Sequence, residues 1–243
     1  LNTTSSRKTI VMIQPGAFGD ILICAPIARA YVDRGYRVIW PVCKKYASHL
    51  EAVAGSYVEI YHMGDYFGEG DWLKWASDTA RNFAKEYEFE TLDLSDRDGH
   101  PKQLPGETFE ETKYRLADVP FVYKNALEFD RDPSAEEAIE RVVGIEGDYT
   151  LVHRESSDGN KAPIPDDCKY RIIEISKIGN YNITDWYSVI LGAKEIMCVE
   201  SSVFCFVDGI LHALKCKPIL LPRPGHPKYT VSKGWDLRYW NEI

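Results

Sequence analysis

Short runs of β-branched and aliphatic residues alternate along this chain with longer amphipathic stretches, the signature of βαβ units and parallel sheets. "KTIVMIQ" at 8–14 predicts a buried first strand, "PGAFGD" a glycine-containing turn, and "ILICAPIARAYVDRG" at 21–35 a helix closed by Gly35. "YRVIWPV" at 36–42 and "YVEIYHM" at 57–63 predict two more strands, with a helix in "KKYASHLEAVAG" between them. A helix over 72–89 and a strand at 91–95 follow, then a loop over 96–106 and a helical stretch over 107–118.

The pattern breaks at 129–148, "FDRDPSAEEAIERVVGIEGD", which is charged and poor in strand signals. This segment predicts a linker with a short helix from Ser134 to Val143. A second series then begins. Strands are expected at 149–155, 170–176, 195–200 and 217–223, and helices at 184–192, with Thr184 as N-cap, and 201–215. The reading divides the chain into a first domain at 1–128, the linker, a second domain at 149–223, and a tail at 224–243 that packs back on the first domain. The fold class expected is α/β, with two Rossmann-like doubly wound domains facing a cleft. In such sheets ligands sit beyond the carboxyl ends of the strands.

The 243 residues suffice for two small α/β domains. A hydrophobic fraction of 44% and a charged fraction of 27% are ordinary for a globular chain. No apolar run approaches the ~20 residues that span a bilayer, and the first ten residues lack the apolar core of a secretory signal. No integral membrane association and a cytoplasmic location are therefore expected. The net charge of −8 is spread over both halves, so neither is a basic domain that would bind nucleic acid by bulk electrostatics. None of the six cysteines forms a C-x-x-C pair, and buried, reduced thiols are expected. The six histidines are scattered without ligand spacing, so no metal site and no cofactor are expected.

Candidate chemistry begins after the first strand. The turn with Gly16, Phe18 and Gly19 presents backbone N–H groups and a helix N-terminus. Gly16 and Gly19 stand as G-x-x-G, not G-x-G-x-x-G, and the second strand lacks a terminal acidic residue. A nicotinamide oxidoreductase is disfavoured on both counts. Asp20 stands where the helix starts. It is either a carboxylate favoured by the helix dipole or a general base, and its position alone favours the first.

The stretch "PGAFGDILICAPIARAYVDRGYRVIW" resembles the opening of the ADP-heptose:lipopolysaccharide heptosyltransferase family, which are two-domain GT-B glycosyltransferases. The resemblance implies that Asp20 of the Gly-Asp pair is the catalytic base and that Pro26 matches the helix proline. "LVHRESSDGNKAPIP" is similar to the family's entry into its nucleotide domain, which implies that Lys161 contacts the donor diphosphate. The family's Asp-Ser/Thr-Gly element corresponds to Glu200, Ser201 and Ser202, with Glu for Asp and Ser for Gly. The family's following histidine has no counterpart among Val203 to Phe206, and the loop after His153 and Arg154 is short.

Together these imply a nucleotide-sugar donor held by His153, Arg154, Lys161, Asp185, Trp186, Glu200, Ser201 and Ser202, and inverting transfer without a metal. Structural alternatives stand beside these roles. Ser201 and Ser202 are ordinary N-cap types, Glu200 could cap the next helix, and Trp186 is as well suited to a core. The acceptor is a saccharide or a hydroxymethylated base in DNA. The second possibility draws on the acceptor-side loop with Arg97, His100 and Lys102, together with Lys113, Arg115 and Lys124. The same residues also suit a solvated surface. The changed Asp-Ser-Gly element leaves open a nucleotide- or glycan-binding module without turnover.

Overall fold

The structure is a computed structural model, and it describes residues 7–66, 71–95, 103–156, 159–176, 178, 181–223 and 234–239. The chain divides into two compact units, Leu1–Asp130 and Arg131–Ile243.

In the first unit, β1 (Thr9–Ile13), β2 (Arg37–Val42), β3 (Glu59–His62) and β4 (Glu90–Asp93) form one parallel sheet in the order β3-β2-β1-β4. β1 and β2 are buried over nearly their whole length, as expected of central parallel strands covered on both faces. The crossovers carry α1 (Phe18–Asp33), α2 (Lys44–Ala54) and α3 (Trp72–Glu86). α1 packs on α2, whereas α3 packs on β1 and β4. Val11, Ile13 and Ile39 of the sheet meet Ala80 and Ala84 of α3, whose small side chains let the helix lie close. α4 (Phe109–Leu116) follows β4 and opens with a full capping box between Thr108 and Glu111.

α1 begins three residues earlier than its hydrophobic pattern implied. Phe18, Gly19 and Asp20 form its first turn, after Ala17, which offers no side-chain cap. Pro26 lies inside α1 and has no N–H to give the preceding turn. Of the carbonyls beside it, Ile23 accepts from Tyr114 Oη at 3.0 Å and Ala25 from Tyr57 Oη at 3.3 Å. The Tyr114 bond ties α1 to α4.

In the second unit, β5 (Tyr149–His153), β6 (Arg171–Glu174), β7 (Glu195–Cys198) and β8 (Ile219–Leu220) form a parallel sheet in the order β6-β5-β7-β8. Val152, Met197, Val199, Ile219 and Leu221 build its core with Ala162. α5 (Pro133–Val143) starts with Asp132 accepting from Ser134 and Ala135 N–H and ends at Gly144 in the left-handed conformation. It packs on α6 (Tyr187–Gly192), so most of the segment read as a linker is structured within this unit. α6 is preceded by a 3-10 turn, Ile183–Trp186, capped by Asn182 and Asp185 and not by Thr184, which is buried. α7 (Ser202–Gly209) follows β7. The described tail residues make their contacts with the second unit, where the sequence reading sent the tail to the first. Trp235 donates to Asp208 at 2.7 Å and packs on Phe204, and Asp236 pairs with Ile219.

Candidate functional site

Each sheet reverses its winding direction once, between β1 and β4 in the first and between β5 and β7 in the second. At such a reversal the two flanking loops diverge and leave a crevice at the strands' carboxyl ends. The sequence candidates gather at these two places.

In the first unit, the chain leaves β1 through Gln14, Pro15 and Gly16, all buried, and enters α1. Asp20, in the first turn, keeps about a fifth of its side chain exposed. Its Oδ1 lies 3.8 Å from Nζ of Lys113, whose side chain is 1% exposed. The Lys113 ammonium donates at 2.8 Å to Gln14 Oε1 and at 2.8 Å to the Leu94 carbonyl, the first residue past β4. The Phe109 ring lies 4.2 Å from it. Gln14 is fixed in turn, because its carbonyl accepts from Trp40 Nε1 at 2.8 Å. A Cβ on Gly16 would stand 2.7 Å from Leu73 Cδ2, 3.3 Å from Gln14 Nε2 and 3.8 Å from Asp20 Oδ2, so the missing side chain lets these groups close around the turn.

The helix starts around this carboxylate carry aromatic rings. Phe18 stacks on His49 at 4.3 Å, and Tyr46 lies 5.6 Å from Trp72. Lys45 Nζ sits over both Tyr46 and Trp72, at 4.6 and 4.8 Å. Phe18, Tyr46, His49 and Trp72 are half-buried, so the rings rim the strand ends instead of filling the core.

The basic residues read as a loop surface behave differently. Lys113 is buried as described, Lys124 is buried and paired with Glu110, and Arg115 pairs with Glu107 at 2.7 Å. The Glu107 carboxyl is held down at about 2, chiefly by Arg115 and the Leu104 N–H. These three cations stabilise the segment around α4 and are not available as a phosphate-binding face. Arg97, His100 and Lys102 lie outside the described residues.

In the second unit, His153 ends β5 and Ser201 caps α7. Ser201 Oγ lies 3.1 Å from His153 Nδ1 and accepts the Phe204 N–H at 3.3 Å. Burial pushes the His153 pKa down against the opposing pull of Glu155 and Glu174. The contact with Ser201 Oγ fixes the ring's orientation at the end of β5. Glu200, 9% exposed, lies two residues past the end of β7, and Ser202 is the first residue of α7. After His153 the chain turns back on itself. Glu155 bridges Lys161, the Ala162 N–H donates to the Arg154 carbonyl at 2.9 Å, and the Ser156 N–H to Asn160 at 3.0 Å. The turn sets Lys161 Nζ 3.0 Å from Glu155, with both side chains about half exposed, and Arg154 Nε bonds Glu174 at 3.0 Å. An exposed pair of the first kind contributes at most ~1 kcal/mol, so an incoming phosphate can take Lys161 at little cost.

Two further donor candidates lie in the 3-10 turn before α6. Trp186 is 2% exposed and belongs to the core, where its ring cannot stack on a ligand without opening its turn. Asp185 spends Oδ2 on the Asn182 N–H at 2.7 Å. Burial, joined by Asp132 and Glu136, pushes its carboxyl upward. Its visible work is to close that turn.

Among the described residues no three His, Cys, Asp or Glu side chains cluster as metal ligands, and no helix is long and apolar enough to cross a membrane. All six cysteines are free; Cys24, Cys43 and Cys198 are buried, and Cys168, Cys205 and Cys216 partly so.

With both sites built, comparison with known proteins places the architecture. The fold is one seen in glycosyltransferases. It matches the glycosyl transferase family 9 from Veillonella parvula with a TM-score of 0.53 and 10% identity, over 88% of this chain and 80% of that one. It matches ADP-heptose lps heptosyltransferase II of E. coli with a TM-score of 0.52 and 11% identity, over 88% and 84%. The iron-containing dodecameric glycosyltransferase TibC from enterotoxigenic E. coli matches with a TM-score of 0.52 and 11% identity, over 88% and 58%. No family model and no curated protein matches the sequence. The likeness read in the first glycine turn is therefore a likeness of fold that sequence identity barely records.

Sequence reasoning passed over Gln14 and the true setting of Lys113. One signal was available: a glutamine closing an otherwise aliphatic buried strand needs a polar partner.

Proposed function

We propose that this protein is a glycosyltransferase that moves a sugar from a nucleotide-sugar donor to a saccharide hydroxyl, with Asp20 as the general base. The observation that carries the reading is the site around Asp20: a carboxylate about a fifth exposed at the winding reversal, paired with Lys113 and lying beside Gly16.

Donor ionisation passes through an oxocarbenium-like state while negative charge grows on the leaving diphosphate. In the second unit, Lys161, Arg154, the His153 imidazole and the first N–H groups of α7 suit that charge. No metal is assigned to the step. Asp20 takes the proton of the attacking hydroxyl, a role that contributes ~10²–10⁴-fold. Attack in line with the departing diphosphate inverts the anomeric centre. Glu200, beside the α7 start, suits a hydroxyl of the donor sugar.

A saccharide is favoured over modified DNA for two reasons. The half-buried rings of Phe18, Tyr46 and Trp72 offer faces of the kind that pack on sugar rings, and three of the basic residues that a DNA acceptor would recruit are engaged internally. We place the reaction in the cytoplasm.

Mass spectrometry of the purified protein, incubated with a panel of nucleotide sugars and either saccharide acceptors or hydroxymethylated DNA, tests the proposal. A saccharide product with release of free nucleotide diphosphate is expected. Product on DNA alone would replace the acceptor. Tight nucleotide binding with no turnover on any acceptor would make the protein a binding module.

A further inference from the structure

Lys113 is a buried cation that the proposed chemistry does not itself consume, and its setting is specific. An ammonium removed from water is strongly disfavoured unless its donors and charge are met. Two of its three N–H groups are met by neutral oxygens, Gln14 Oε1 and the Leu94 carbonyl, both at 2.8 Å. Neither compensates the charge. The Asp20 carboxylate, 3.8 Å away, does so.

The anchors of Lys113 also fix its direction. α4 is set by its capping box and by Tyr114, the next residue, whose hydroxyl bonds Ile23 of α1. The lysine therefore approaches Asp20 from a helix docked on the helix that carries Asp20. It meets Oδ1, whereas Oδ2 lies on the side of Gly16, 3.8 Å from where a Cβ of that residue would stand.

We infer that Lys113 is the positioning residue of Asp20: its buried ammonium, held by Gln14 and the Leu94 carbonyl, orients the carboxylate through Oδ1 and keeps it ionised. The inference rests on Asp20 being the base.

Charged groups on the neighbouring elements have partners of their own; on α2, Lys45 lies over the Tyr46 and Trp72 rings. From α2, His49 lies against Phe18. From the end of β4, Asp93 is engaged by Arg81 of α3 at 2.8 Å and by Ser95 at 2.7 Å. From α3, Leu73 is the apolar neighbour at Gly16. On α4, Glu110 is paired with Lys124, which follows that helix in a 3-10 turn, and Glu111 closes the capping box. Removing the Lys113 charge withdraws the cation 3.8 Å from Oδ1, an opposite charge that favours the ionised base.

The test is the pH profile of kcat/KM for Lys113→Met, Lys113→Gln and Lys113→Arg, with Asp20→Asn measured alongside. Methionine and glutamine should lower kcat/KM at least 10-fold at neutral pH and move the acid limb upward by about one pH unit, while arginine keeps the limb near its wild-type position. Lys113→Gln retains a donor for Gln14 or Leu94, so it reports on the charge if the methionine variant does not fold. Loss of activity in all three with an unmoved limb would make Lys113 a packing residue and overturn the inference. Wild-type rates in Lys113→Gln would do the same. Full activity in Asp20→Asn would instead remove the parent reading, whatever the lysine variants do.

Discussion

Ser201 Oγ stands between two partners, accepting the Phe204 N–H at 3.3 Å and lying 3.1 Å from His153 Nδ1. One hydroxyl thus caps α7 and holds the imidazole at the end of β5. Because burial depresses the His153 pKa, the folded protein favours the neutral ring. The unfolded chain binds the proton more readily, so stability from this residue is present above the ordinary histidine range near 6.5 and is lost as pH falls through the lower folded value. Thermal midpoints of wild type and His153→Gln should converge as pH drops from 7.5 to 5; parallel curves would contradict this. Ser201→Ala should cost about 1 kcal/mol through the lost cap and also weaken donor binding.

Gly16 separates folding from function. An alanine there meets Leu73 Cδ2 at 2.7 Å, the far end of a flexible side chain that can rotate, and lies 3.3 Å from Gln14 Nε2 and 3.8 Å from Asp20 Oδ2. Gly16→Ala is expected to lower stability by ~1 kcal/mol or less, yet to reduce kcat/KM by roughly 10-fold or more, since small misplacements at a reacting group are costly. Equal losses in calorimetry and kinetics would point to a packing role alone.

Much of the fold was legible because parallel strands are written as aliphatic runs. β1, β2, β5 and β7 appear as "TIVMI", "RVIWPV", "YTLVH" and "EIMC" near their expected positions. Helix ends were harder. Phe18 and Gly19 belong to α1 although glycine is a poor helix former, because the first turn needs no preceding hydrogen bonds and Ala17 offers no cap to mark the start. Thr184 looked like a cap, but tertiary burial took it and Asn182 with Asp185 closed the turn. Within the site, Asp20 and the His153–Lys161 run were visible in order along the chain. The Lys113–Gln14 bond spans 99 residues, and no local pattern encodes a pairing across that distance.

Trp72 opens α3 behind Asp71, which accepts from the Leu73 and Lys74 N–H groups, so its ring is held at the helix start beside Lys45 and Tyr46. If it packs on the acceptor sugar, Trp72→Ala should raise the acceptor KM about 5- to 30-fold, within the ~1–2 kcal/mol of an aromatic contact, and leave the donor KM unchanged. Steady-state kinetics with each substrate varied in turn decides the matter. A rise in donor KM alone would move the ring out of the acceptor site.

Trp235 ties the described tail to α7 by donating to Asp208, which has no exposed surface. Trp235→Phe keeps the contact with Phe204 but withdraws the donor from a buried carboxylate. About 1–3 kcal/mol should be lost in denaturant unfolding, without change in donor affinity. A loss under 0.5 kcal/mol, on the order of an exposed substitution, would show that Asp208 is satisfied without it.

The central claim is that Asp20 takes the acceptor's proton. Asp20→Asn keeps the shape of the side chain and removes its basicity, so single-turnover transfer should fall by ~10²–10⁴-fold while nucleotide-sugar binding and the thermal midpoint stay close to wild type. Transfer within a few-fold of wild type, measured under the same conditions with bound donor, would contradict the account.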